Sequence, residues 1–111
     1  MRRVVVTGMG AVTPIGNDVP TYWENLKAGT CGIGPLTRFD CTDYKACLAA
    51  EVKDFDPTLY LDKSEVRKTD LFSQFAIAAA VQAIGDSGIE SAIDPTRIGV
   101  YVGSGIGGII T

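Results

Sequence analysis

Two short runs are apolar at consecutive rather than alternating positions: Val4-Val5-Val6 near the start, and Ile98-Gly99-Val100-Tyr101-Val102 near the end. Side chains that are apolar on both faces suit strands buried between two helical layers, so the pattern predicts central parallel strands over Arg3 to Thr7 and Ile98 to Val102. Between them the period changes to that of helices. Tyr22, Trp23 and Leu26 fall at helical spacing, with Asp18 placed to cap, Pro20 in the first turn and Gly29 as a stop, which predicts a helix over Val19 to Ala28. Asp62-Lys63-Ser64-Glu65 has the form of a capping box and predicts a short helix over Lys63 to Lys68. The longest helix should run from about Asp70 to Asp86. Only Ser73, Gln74 and Gln82 interrupt its apolar surface, so it should be buried nearly all round, its alanines permitting close backbone approach. Thr30 to Tyr60 is broken early by Gly32, Gly34 and Pro35 and reads as a surface excursion, with one brief strand at Leu48 to Val52. A strand, helices and a second strand in that order make a right-handed crossover in a layered α/β sheet, within one domain.

Composition changes this picture little. Of 111 residues, 46% are hydrophobic and 21% charged, as in ordinary globular chains. The net charge of −3 argues against general binding to nucleic acid or membrane surfaces, which needs a basic face. No apolar run approaches a membrane span, and Val4 to Val6 is too short for a signal-peptide core, so a soluble cytoplasmic protein is expected. Cys31, Cys41 and Cys47 include no CxxC pair and have no histidine with which to share zinc, so they read as reduced, partly buried thiols and no metal site is expected.

Candidate chemistry centres on two glycine-rich turns, Thr7-Gly8-Met9-Gly10 and Gly103-Ser104-Gly105-Ile106-Gly107-Gly108, each leaving a predicted strand. Functional loops of α/β sheets lie at such strand ends. The second turn satisfies GxGxxG, but the helix and acidic residue of a dinucleotide site would lie beyond Thr111; at the first, Thr13 stands where a third glycine or alanine is required and Pro14 spoils the helix start. A phosphate loop fails because Ile109 stands where lysine is required, so no nucleotide or other cofactor is expected. Proton-transfer chemistry near neutral pH usually draws on histidine, and none occurs. The chain therefore reads as part of a site without its reactive half, the N-terminal piece of a larger protein. Lys63, Arg67 and Lys68 concentrate three of the ten basic residues. Spacing alone leaves two readings, a solvated helix offset by Asp62, Glu65 and Asp70, or a docking patch for an acidic partner.

Six co-linear motifs carry a resemblance that spans the whole chain. They are Val4-Val5-Val6-Thr7-Gly8-Met9-Gly10, Thr13-Pro14-Ile15-Gly16-Asn17, Val52-Lys53-Asp54-Phe55-Asp56-Pro57, Arg67-Lys68-Thr69-Asp70, Asp86-Ser87-Gly88 and Arg97 through Gly108. Together they resemble the start of the type II β-ketoacyl-acyl carrier protein synthases, the elongating condensing enzymes of dissociated fatty-acid synthesis. Ketosynthases of aromatic polyketide assembly open similarly. The resemblance implies a thiolase-like layered α/β/α/β/α fold, with residues 1–111 as the opening part of the first half, and a homodimer. It also implies a cysteine thiolate that takes an acyl group from acyl carrier protein, and two histidines that stabilise the charge developed when malonyl-carrier protein loses carbon dioxide. No catalytic residue is assigned here, because Cys31, Cys41 and Cys47 fall in or near the irregular excursion rather than at a strand-to-helix turn. Within Gly105-Ile106-Gly107, Ile106 matches the family position that lines the acyl pocket, and Lys63, Arg67 and Lys68 match the patch that meets acyl carrier protein.

Overall fold

The computed structural model describes residues 1–109. The chain forms two compact units, Ala11–Phe55 and a second made of Met1–Gly10 with the chain from Asp56 onward; each is described by itself.

In Ala11–Phe55, helix α1 (Val19–Lys27) begins where its sequence says it should. The Asp18 carboxylate accepts from the Thr21 N–H at 2.8 Å and from its hydroxyl at 3.0 Å, and Pro20 occupies the first turn, where no N–H is required. The helix ends at Ala28 and Gly29, the latter at a φ of 70° that glycine adopts without a Cβ penalty. Ahead of it, Thr13 and Gly16 exchange backbone hydrogen bonds of 2.8 and 3.2 Å around Pro14 and Ile15. Two side-chain amides fasten this turn: Asn25 donates to the Ile15 carbonyl at 2.6 Å and Asn17 to the Lys53 carbonyl at 2.7 Å.

The expected irregular excursion contains an antiparallel ribbon. Strand β1 (Ile33–Pro35) pairs with β2 (Leu48–Ala50), Ile33 opposite Ala50 and Pro35 opposite Leu48. Gly34 and Pro35 argued against a strand, but both strands of a two-stranded ribbon are edges, where these residues are tolerated. The Leu36 N–H continues the ladder to the Cys47 carbonyl at 2.9 Å. Just past β2, Glu51 accepts from the Thr37 hydroxyl at 2.7 Å and from the Thr37 and Arg38 N–H groups at 3.2 and 3.3 Å. The Thr37 hydroxyl bond is the main cause holding the Glu51 carboxyl below its ordinary pKa. Inside the loop, Cys41 and Cys47 are joined in a disulfide, which corrects the reading of three reduced thiols; Cys31 alone is free, and exposed. The pairing depends on a turn that brings residues six apart together, and spacing alone does not reveal it.

In the other unit, aspartates open three of the short elements. Asp56 caps the 3-10 turn Pro57–Leu59 through Thr58, and Asp94 caps Pro95–Arg97 through Thr96. Asp62 caps helix α2 (Lys63–Val66) by accepting from the Ser64 and Glu65 N–H groups at 2.8 and 3.0 Å. Helix α3 (Leu71–Ser87) is the longest element and closes on Gly88 at φ 63°, followed by the single turn α4 (Ile89–Ala92). Gly8 to Gly10 lie against α3. A Cβ at Gly8 would strike the Ala83 carbonyl oxygen and one at Gly10 that of Ala79, so these glycines face the small residues of the helix at backbone contact. The Met9 N–H donates to the Asp86 carboxylate at 3.0 Å, and Gln82 donates to the Tyr60 hydroxyl at 3.0 Å.

Two expectations need correction. The predicted strands Arg3 to Thr7 and Ile98 to Val102 are unpaired, and the sheet among the described residues is β1 with β2, so no crossover is formed. Val4 is 92% exposed and Tyr101 97%. A strand is made by its hydrogen-bonded neighbour, and apolar character alone does not supply one. Helix α3 is likewise not buried all round. Ala78 is fully buried, while Phe72, Val81 and Ile84 remain at least 40% exposed; Gln74, assigned to the polar line, is only 7% exposed. Among the described residues, no helix is long and apolar enough to cross a membrane.

Candidate functional site

The two glycine-rich turns differ in what occupies their backbone. In Thr7-Gly8-Met9-Gly10 the glycines serve contact with α3, and the Met9 N–H is taken by Asp86. This turn is a packing device. In the second turn the Gly107 N–H donates to the Ser104 hydroxyl at 2.9 Å, and Gly107 itself lies at φ 81°. The turn folds over the beginning of α3: a Cβ on Gly108 would strike the Asp70 carboxylate, and one on Gly107 would lie 3.7 Å from the Phe72 ring.

Of the three residues expected to line a pocket, Gly105 faces open space, Ile106 is 80% exposed and Gly107 sits over Phe72. A groove of about 410 Å3 runs beside them, lined by Val102, Gly103 and Ser104 on one side and Phe72, Phe75 and Ala76 of α3 on the other. Its lining is mainly apolar. Ile106 stands next to this groove in sequence but outside its walls.

The basic cluster sits on α2 and its C-terminal end. Arg67 Nε donates to the Lys63 carbonyl at 3.1 Å, and both residues flank a depression that also includes Thr58 and Val66. Lys63, Arg67 and Lys68 are all exposed. None is in an ion pair among the described residues, where the salt bridge is Lys27 to Glu24 on α1 at 2.8 Å. The expected offset by Asp62 does not form, because that carboxylate turns to the helix N-terminus. Its pKa is lowered first by the Glu65 N–H and then by Ser64, so the group is a cap rather than a counter-ion.

Gln74 orients the cluster. Its Nε2 donates to the carbonyls of Val66 at 3.0 Å and Thr69 at 2.9 Å, tying the end of α2 and the link that follows to the first turns of α3. The same end of α3 carries Asp70 and Phe72, on which the Gly107-Gly108 turn rests. Glycine turn and basic cluster therefore share one support. The sequence placed Gln74 on a narrow polar line and Asp86 in a motif without giving either a partner, and the available signal was an amide in a largely apolar helix.

The chain is similar in fold to a solved structure. The structure described as "The ishigamide ketosynthase/chain length factor" superposes with a TM-score of 0.72 at 39% identity, over 78% of this chain and 22% of that one. The family model for the β-ketoacyl synthase N-terminal domain matches residues 1–110, and the chain belongs to that family. Among curated relatives, the 3-oxoacyl-(acyl-carrier-protein) synthase 2 of Coxiella burnetii is 52% identical over 109 residues, covering 97% of this chain and 26% of that protein. The protein of the same description from Synechocystis is 49% identical over 109 residues, with the same coverages. That of Staphylococcus aureus is 50% identical over 113 residues, covering 99% of this chain and 27% of that protein. The chain spans about a quarter of the length of these relatives.

Proposed function

We propose that residues 1–111 are the opening part of the first half of a thiolase-like α/β/α/β/α synthase. The whole protein lengthens acyl chains: an acyl group held as a cysteine thioester is attacked by the carbanion that forms when malonyl-acyl carrier protein loses carbon dioxide. The products are 3-oxoacyl-acyl carrier protein, carbon dioxide and the free thiol. The observation that carries this reading is the similarity, at about half identity over 97% of the chain, to relatives described as 3-oxoacyl-(acyl-carrier-protein) synthase 2. No histidine is present in these residues, so the imidazoles of the reaction must come from elsewhere in the synthase.

Within this reading the chain contributes recognition. Lys63, Arg67 and Lys68 form the docking face for the acidic carrier protein, supported by their exposure and freedom from carboxylate partners among the described residues. Gly105-Ile106-Gly107 borders the acyl pocket, supported by the apolar groove beside it, which suits a hydrocarbon chain. The working protein is a cytoplasmic homodimer that uses no cofactor. The test is elongation by the synthase that carries this segment, supplied with acyl- and malonyl-carrier protein. A 3-oxoacyl product two carbons longer than the primer is expected, and intact malonyl-carrier protein after prolonged incubation would overturn the assignment. The likeness to a ketosynthase/chain length factor favours a second reading, a subunit of polyketide assembly. It would reveal itself by iterative condensation without release after the first step.

A further inference from the structure

We propose that Cys41 and Cys47 form a reversible redox modification site that locks the loop between β1 and β2, independent of any condensing chemistry. Their Cα atoms are 5.6 Å apart, within the range a disulfide spans without backbone movement. Contacts other than the S–S bond also hold them there. The Tyr44 N–H donates to the Cys41 carbonyl at 2.9 Å and the Leu36 N–H to the Cys47 carbonyl at 2.9 Å, while the Phe39 and Tyr44 rings meet edge to face at 5.8 Å. The Glu51 carboxylate, bonded to Thr37 and Arg38, holds the loop's other root. With these contacts in place the two thiols stay neighbours when reduced, so the bond can open and close without rebuilding the fold.

Both sulfur-bearing residues are half-buried rather than enclosed, which leaves them open to small thiols and disulfides. Cys31 is excluded as a partner. It precedes Ile33, which pairs with Ala50, whereas Cys47 precedes Leu48, which pairs with Pro35; the two lie at opposite ends of the ribbon. In a reducing compartment the pair rests as two thiols, and an oxidised low-molecular-weight disulfide such as glutathione disulfide closes it. One cysteine thiolate attacks a sulfur of that disulfide and displaces a thiolate. The second cysteine thiolate then attacks the resulting mixed disulfide, forms the Cys41–Cys47 bond and releases a second thiolate. The two cysteine protons end on the two small thiols released, and the two electrons lost by the cysteines reduce the oxidant.

The sequence supplies its own readout. Arg38, Lys45 and Lys53 are tryptic sites that place Cys31, Cys41 and Cys47 in three different peptides. The reduced protein is treated with glutathione disulfide, alkylated and digested under denaturing, non-reducing conditions. Residues 39–45 should remain linked to 46–53, with Cys31 in neither link, and a thiol reductant should separate them. In the native protein, cleavage after Lys45 inside the ring should be at least about fivefold slower when oxidised, because cutting requires local opening of the loop. Cys41→Ser should abolish the linked peptide and leave cleavage at the reduced rate, and Cys31→Ser should change neither. A link through Cys31, a link between two copies of 39–45, three alkylated thiols after oxidation, or equal cleavage in both states would each overturn the proposal. The peptide mapping is done on the unaltered sequence, so a variant that fails to fold does not remove the test.

Discussion

Replacing Gln74 by leucine removes the amide that ties α2 to α3 while keeping the side-chain volume. Gln74 is 7% exposed, and its Nε2 serves two carbonyls, Val66 at 3.0 Å and Thr69 at 2.9 Å. Each carbonyl left without its donor costs about 1 kcal/mol, so the gross loss is about 2 kcal/mol; added apolar burial by leucine returns part of it. A net loss of about 1 to 2 kcal/mol raises local opening of α2 by roughly 5- to 30-fold. Hydrogen exchange resolves this, because the Val66 and Lys68 amides bond within α2 and its end, to Asp62 and Glu65, while the Tyr22 amide bonds to Asp18 in α1. Protection at Val66 and Lys68 should fall by that factor, and protection at Tyr22 should not change. Gln74→Glu adds a signature. A buried carboxylate facing two carbonyl oxygens has its folded pKa raised above the unfolded value of about 4.3, so the native state binds more protons and stability falls as pH rises. Protection of α2 in that variant should be nearest to the parent below about pH 4 and decline above it, whereas Gln74→Leu should be flat with pH. Unchanged protection at Val66 and Lys68 in Gln74→Leu, or an equal loss at Tyr22, would refute the assignment of Gln74 as the local tie.

Reversing Lys63, Arg67 and Lys68 to glutamate in the synthase should raise KM for carrier-bound substrate by about 5- to 30-fold at low ionic strength, less in high salt, with thermal stability unchanged. Equal kinetics at low salt would make the cluster a solvated face. Ile106→Phe should lower acylation by long primers by roughly 5- to 150-fold while two-carbon primers still react, whereas a uniform drop at every length would assign Ile106 to the fold. Gly10→Ala should destabilise by about 1 to 3 kcal/mol in thermal unfolding, since its Cβ meets the Ala79 carbonyl and the Gln82 side chain. Gly34→Ala, with open space around it, is the control. The Glu51 carboxyl, titrated by NMR, should ionise below the ordinary range and move back toward it in Thr37→Val, which removes the largest cause. Because that pKa is lowered on folding, the stability it contributes is present above the unfolded pKa and is lost as pH falls through the folded one.

The helices were legible because their signals are local. Asp18 with Pro20 and Gly29 bounds α1, Asp62 starts α2, and α3 runs over Leu71–Ser87 against an expected Asp70 to Asp86. Asp18 and Asp62 cap, and Gly29 and Gly88 stop, within a few residues of the atoms they serve. Family membership was legible as well, since six motifs in fixed order are a property of the chain itself. The side-chain placement of the candidate site was not. Gln74 looks like a surface residue until two carbonyls from α2 and its link are brought over it, and Asp86 gains a partner only when Met9 lies against α3. Cys41 and Cys47 pair because a turn closes between them, and Asp62 spends its charge on N–H groups rather than on neighbouring cations. Val4 to Val6 and Val100 to Val102 show the same limit from the other side: their composition favours strands, but a strand exists through the hydrogen bonds of a neighbour distant in sequence. Local composition can set where a helix begins and ends, whereas burial and pairing are relations between distant segments, and only the folded arrangement decides them.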